Sequence, residues 1–215
     1  VPSHDQLALV HHGVAAEDAR IVVYGVHGRT QSPQFFIDLA ARLELEGVCW
    51  WLPTAADHSW YPGKFMEPLE SNQPQLDQAL GVIQDQLSHL LQTRDAGGAP
   101  VIVFGFSQGA CLLAEHLLVS QPRVDGALLH TGGYLGPRAR SFAAAPDPGL
   151  SGLAVELFSA DEDPWVPLHR VKDTAAAFEG LAGVTTLSVY RDEEHHITED
   201  GAARIREYLN RHARA

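Results

Sequence analysis

Short, wholly apolar runs alternate with longer stretches of helical periodicity along this chain, and that alternation restricts the fold more than any other feature. Ile21-Val22-Val23-Tyr24-Gly25-Val26 is continuously apolar, as a strand covered on both faces must be. Helical spacing follows in Phe35, Phe36, Leu39, Ala40 and Leu43, with Gly47 expected to stop the helix. Val48 to Leu52 reads as the next strand and ends at Pro53. A long loop then runs from Thr54 to about Asn72.

The pattern repeats downstream. Gln75 to Thr93 carries Leu76, Leu80, Ile83, Leu87, Leu90 and Leu91 on one helical side, and Gly97-Gly98 breaks it. Val101 to Phe104 is a buried strand, Ala110 to Val119 a helix, and Val124 to Leu129 a strand. The Ala-, Pro- and Gly-rich stretch from Pro137 to Gly152 reads as surface loop. Leu153 to Phe158 (strand), Leu168 to Glu179 (helix) and Val184 to Tyr190 (strand) follow. A helix from Glu199 to His212, with Thr198 as its N-cap, ends the pattern. Parallel strands need crossover connections, so the expected fold class is α/β: a mostly parallel central sheet with helices on both faces, no large lid, and one domain over residues 1–215. Functional residues should then lie on loops beyond the carboxyl ends of strands.

The strand at Val101 runs directly into Gly105-Phe106-Ser107-Gln108-Gly109, and a helical pattern runs directly out of it. G-x-S-x-G between strand and helix is the nucleophile elbow, in which the serine occupies a strained turn and the glycines remove side chains that would clash. Serine needs a base, itself oriented by an acid, and in this arrangement the chain order is Ser, acid, His. The acid should follow Phe158, where Asp161, Glu162 and Asp163 compete. Asp163 precedes the rigid Pro164 and is preferred, with Asp161 second. The base should follow Tyr190, where local chemistry does not separate His195 from His196. His11 and His12 fall in an apparent surface hairpin, and His89 and His116 lie within helices. His130 follows a strand but precedes the acid. Two backbone N–H groups must meet the developing oxyanion; the order of the motifs offers those of Gln108 and of Arg29 in His27-Gly28-Arg29, with His27 propping the loop.

Acidic residues outnumber basic ones 27 to 15, a formal charge of −12 that repels nucleic acid and anionic membrane surfaces. No apolar run approaches the ~18 residues of a membrane span. Val1-Pro2-Ser3-His4-Asp5 lacks the basic and apolar regions of a secretory leader, so a cytoplasmic location is expected. Cys49 and Cys111 have no metal or redox spacing and read as buried thiols. No H-E-x-x-H spacing accompanies His195-His196, so neither metal nor cofactor is expected.

Taken together, His27-Gly28-Arg29, Gly105-Phe106-Ser107-Gln108-Gly109-Ala110, Asp163-Pro164-Trp165-Val166-Pro167 and His195-His196-Ile197 resemble the phospholipase/carboxylesterase branch of the α/β-hydrolases, which includes the acyl-protein thioesterases. The resemblance runs from about Ile21 to Leu209. It implies Ser107 as nucleophile, Asp163 as acid and His195, rather than His196, as base, with the amides of Arg29 and Gln108 as oxyanion donors. Glu194 stands where the family commonly has glycine, and Thr30-Gln31-Ser32 replaces a more glycine-rich turn.

The expected activity is hydrolysis of an ester or thioester of a small acylated molecule. Lysophospholipase or acyl-protein thioesterase action, acyl transfer or lyase chemistry, and a non-catalytic binding module are the alternatives. A homodimer is left open. Trp60, Tyr61, Phe65 and Trp165, with Met66, fall on loops near the site and are expected to line an acyl pocket unless they pack the long loop onto the sheet.

Overall fold

The computed structural model describes residues 8–147 and 149–214, so Val1 to Asp5 lie outside the described residues. Strands β1 (Leu9–Gly13), β2 (Ile21–Val26), β3 (Val48–Pro53), β4 (Val101–Phe106), β5 (Gly126–His130), β6 (Ala154–Ala160) and β7 (Val184–Tyr190) form one sheet in the order β1-β3-β2-β4-β5-β6-β7. Every pairing is parallel except that of β1 with β3. The helices are α1 (Gln34–Leu43), α2 (Gln75–Asp95), α3 (Gln108–Ser120), α4 (Leu168–Gly180) and α5 (Glu199–His212).

Side chains along a strand point alternately to opposite faces, and this sheet uses both for core. Val22, Tyr24, Val26, Val101, Val103, Ala127, Leu129, Val155 and Leu157 meet α2, α3 and α4 on one face. Ile21, Val23, Ile102, Phe104, Phe106, Leu128 and Phe158 meet α1 and α5 on the other. That two-sided burial is why β2 and β4 are apolar without interruption, each buried Val, Leu, Ile or Phe contributing about 1.5–3 kcal/mol. α5 is pinned through Tyr208, whose hydroxyl accepts the Ala127 N–H at 2.9 Å and donates to the Ala154 carbonyl at 2.7 Å. Thr198 caps the same helix by accepting the Gly201 N–H.

Three local expectations are corrected. His11 and His12 belong to an edge strand, β1, not to a loose hairpin; His11 pairs with Trp51 and sits edge-on to its ring at 4.7 Å. α1 ends at Leu43 because Glu44 takes the left-handed conformation (φ 50°), three residues before Gly47. β5 begins at Gly126, since the Val124 N–H turns back to the Pro122 carbonyl.

Candidate active site

The carboxyl ends of β2, β4, β6 and β7 deliver the candidate residues to one edge of the sheet. β4 passes into α3 through Ser107, whose backbone (φ 53°, ψ −119°) lies in a region non-glycine residues rarely enter and that costs about 1–3 kcal/mol. Its neighbours hold it there. The Ser107 N–H donates to the His130 carbonyl at 2.9 Å, and the Ser107 carbonyl accepts from Cys111 N–H at 3.0 Å. A Cβ on Gly105 would lie 2.4 Å from the Cα of Ala110, and one on Gly109 2.0 Å from the Val26 carbonyl oxygen. Both glycines of the motif are therefore demanded by backbone approach.

Of the competing carboxylates, Asp163 is the one that reaches a histidine. Its Oδ2 lies 2.7 Å from Nδ1 of His195, while Oδ1 accepts the N–H groups of Trp165 and Val166, each at 2.8 Å. The carboxylate has no exposed surface. Burial pushes its pKa up, but the hydrogen bonds from His195, Val166 and Trp165 outweigh that and hold it below the usual carboxylate value. Asp161 instead accepts the Asp192 N–H.

The two histidines separate in the same way. His195 turns Nδ1–H to Asp163 and packs edge-on against Phe106, the residue before Ser107, with ring centroids 5.3 Å apart. Its Nε2 is buried and has no hydrogen-bond partner among the described residues. His196 lies between Asp192 (3.5 Å) and Glu194 (3.0 Å).

The loop after β2 closes over the serine. A Cβ on Gly28 would sit 3.1 Å from that of Ser107. His27 is fully buried; its Nε2 accepts the Ala55 N–H and its Nδ1–H donates to the Gly28 carbonyl. Burial lowers its pKa to about 4, offset in part by the Gly28 carbonyl and aided by His58, so the ring is a neutral prop. The Arg29 guanidinium donates to the carbonyls of Tyr61, Pro62 and Gly63. Gln108 is the first residue of α3, where a backbone N–H has no intrahelical acceptor. The Gln108 side chain accepts the Trp60 N–H and donates to the Tyr61 carbonyl, tying the loop after β3 to α3.

Of the two roles the sequence leaves open for the loop aromatics, three of the four take the packing one. Trp60 (0% exposed), Tyr61 (2%) and Phe65 (7%) belong to the core, and Trp60 donates its indole N–H to the His27 carbonyl. An apolar side chain gains more from burial under the long loop than from facing water beside the serine. Trp165 alone of the four stays open, at 66% exposed, next to Asp163. An open cleft is lined by Asp161, Glu162, Arg191, Asp192, Glu193 and Glu194.

His130, whose position after a strand was its only signal, is buried beneath the site. Its ring stacks on Phe158 at 5.1 Å and tilts against Phe106 at 5.6 Å. Burial first, then the neighbouring His195 and His196, lower its pKa to about 3, with Asp163 opposing. His116 is also buried, in α3, and His89 lies against Trp51. Among the described residues no group of His, Cys, Asp and Glu is arranged to hold a metal ion, and no helix is long and apolar enough to cross a membrane.

Residues 53–213 match the family model for phospholipase/carboxylesterase. A phospholipase/carboxylesterase from Dyadobacter fermentans is 27% identical with a TM-score of 0.84, over 95% of this chain and 97% of its own. Two more distant structures share the fold. Esterase PE8 is 19% identical, with a TM-score of 0.75 over 96% of this chain and 99% of its own. Acyl-protein thioesterase 2 from Zea mays is 16% identical, with a TM-score of 0.76 over 96% and 98%. No curated protein matches the chain. With its seven-stranded, mostly parallel sheet between two helical layers, the chain has the α/β-hydrolase fold and belongs to the phospholipase/carboxylesterase family.

Proposed function

We propose that the protein is a serine esterase in which Ser107, His195 and Asp163 hydrolyse a small carboxylic ester or thioester through an acyl-enzyme. The observation that carries this reading is the imidazole of His195. One nitrogen is committed to a buried carboxylate at 2.7 Å, and the other is left without a partner beside the nucleophile elbow.

Ser107 Oγ attacks the carbonyl carbon as His195 Nε2 takes its proton, and Asp163 keeps the proton on Nδ1 while stabilising the imidazolium. The carbonyl oxygen becomes an oxyanion, met by the N–H groups of Arg29 and Gln108. His195 then protonates the departing alcohol or thiol. A water molecule, deprotonated by His195, cleaves the acyl-serine and regenerates the hydroxyl.

Among the described residues no separate domain covers Ser107, and the indole of Trp165, two residues from Asp163, is exposed, which favours a short or medium acyl chain on a small molecule. Kinetics on p-nitrophenyl esters of increasing chain length test both halves of the reading. Ser107→Ala is expected to lose several orders of magnitude in kcat, and rates are expected to peak at short chains. Most activity surviving in the Ser107 variant would overturn the nucleophile; a peak at long chains would overturn the substrate class.

A further inference from the structure

The two segments that must bring Asp163 and His195 together are joined by hydrogen bonds outside the triad. The Asp161 N–H donates to the Tyr190 carbonyl at 2.9 Å, and the Glu162 N–H to the Asp192 carbonyl at 3.3 Å. In the opposite direction the Asp192 N–H donates to Asp161 Oδ1 at 3.1 Å. Asp192 Oδ1 in turn accepts the Glu194 N–H at 3.0 Å, one residue before His195, and its Oδ2 lies 3.5 Å from His196 Nε2. β6 and β7 are already paired from Ala154↔Val184 to Ala160↔Tyr190, so these bonds continue the pairing past the end of the sheet.

We propose that Asp161 and Asp192 are positioning residues for the catalytic pair: their carboxylates form a clasp that fixes the His195 segment against the Asp163 segment. The inference rests on the proposed triad and adds to it what sets its geometry. A loop leaving an edge strand has no second strand to hold it. The residue before His195 is Glu194, and its N–H is held by Asp192. The carboxylates act here as hydrogen-bond acceptors for backbone N–H groups, a role that an amide oxygen of the same shape can also fill. Asp161 is exposed and Asp192 half-buried, so removing either acceptor leaves the core untouched. The reacting geometry is another matter, because small displacements of a general base cost rate steeply.

Purified full-length protein carrying Asp161→Ala, Asp161→Asn, Asp192→Ala or Asp192→Asn is compared with the parent in p-nitrophenyl acetate hydrolysis, thermal melting and proton NMR of the His195 Nδ1–H. Each alanine variant is expected to lose about 10- to 100-fold in kcat with KM little changed. The Tm should be near the parent's and the Nδ1–H resonance broadened or lost. Each asparagine variant, which keeps an acceptor oxygen, should recover most of kcat and the resonance. Alanine variants with parental kcat would overturn the clasp, as would asparagine variants no better than alanine. If Ser107→Ala retains activity, the triad itself has failed, which is a separate result from an intact triad indifferent to Asp161 and Asp192.

Discussion

A Cβ built on Gly28 would stand 3.1 Å from the Cβ of Ser107 and 2.9 Å from Oε1 of Gln31, so the loop after β2 lies against Ser107 with no room for a methyl group. Gln31 Oε1 is also the acceptor of the Gly28 N–H at 2.8 Å, which means the side chain that must yield is the one that holds the loop. Gly28→Ala is therefore expected to shift the Arg29 amide and to lower kcat/KM about 10- to 100-fold. Because the closest approach is to one flexible side chain, with Ser107 and Phe106 needing to give only a few tenths of an ångström, the loss of stability should stay within the ordinary range of about 0.5–3 kcal/mol. Steady-state kinetics beside thermal melting separate the two effects; unchanged kcat/KM would show that the loop does not need its present contact with Ser107.

Gly109 makes the opposite prediction. Its added Cβ would meet the Val26 carbonyl oxygen at 2.0 Å and the His27 carbonyl oxygen at 2.6 Å, and both are backbone atoms at the end of a central strand. Nothing there can rotate away. Gly109→Ala should force α3 off β2 and cost more than about 3 kcal/mol, with a large fall in Tm or failure to accumulate as folded protein. A melting curve matching that of the parent would mean that α3 can slide along the sheet.

Gly105 and Gly109 also show why this part of the molecule was legible beforehand. A strand, a strained serine and a helix leave so little space between backbones that the sequence must place glycines where it does, and the local pattern carries the geometry. β1 was illegible for the converse reason. It is an edge strand with one neighbour, so Leu9-Val10-His11-His12-Gly13 needs no apolar run. Asp163 and His195 follow their strands as expected, but the distinction from Asp161 and His196 depends on a contact across 32 positions of chain that spacing cannot express. For Trp60, Tyr61 and Phe65 the sequence leaves two outcomes open, because an aromatic loop reads identically whether it faces a ligand or packs inward; Gln108 ties that loop down by bonding to the backbone of Trp60 and Tyr61.

Trp165 is the aromatic that burial leaves available. Its N–H is fixed by Asp163 at 2.8 Å while its side chain remains open to water. Trp165→Ala should leave thermal stability within about 0.5 kcal/mol of the parent, since little packing is lost. If the indole rests on the substrate, KM should rise for aryl esters and longer acyl chains and change little for acetate. A uniform KM across the series would remove Trp165 from the binding site.

Three histidines make stability depend on pH in one direction. Burial lowers the pKa of His27 and of His116 to about 4 and that of His130 to about 3, whereas an unfolded histidine titrates near ~6.5. Above that value all three are neutral in both states and add no pH dependence. As the pH falls below it, the unfolded chain takes up protons that the native chain refuses, so stability is lost between about pH 6.5 and 4, and to about pH 3 for His130. Each group contributes a slope of up to about 1.4 kcal/mol per pH unit in that window. Asp163 acts the same way lower down, since its depressed pKa adds stability that is lost as acid protonates it. His116 is the cleanest probe, because it lies outside the site and its Nε2 is buried without a hydrogen-bond partner among the described residues. His116→Leu is expected to raise stability relative to the parent at pH 5 and to change it little at pH 7.5, measured by denaturant unfolding at both. An equal effect at the two pH values would mean that the native protein protonates His116 as readily as the unfolded chain does, and that burial of this ring is not what limits acid stability.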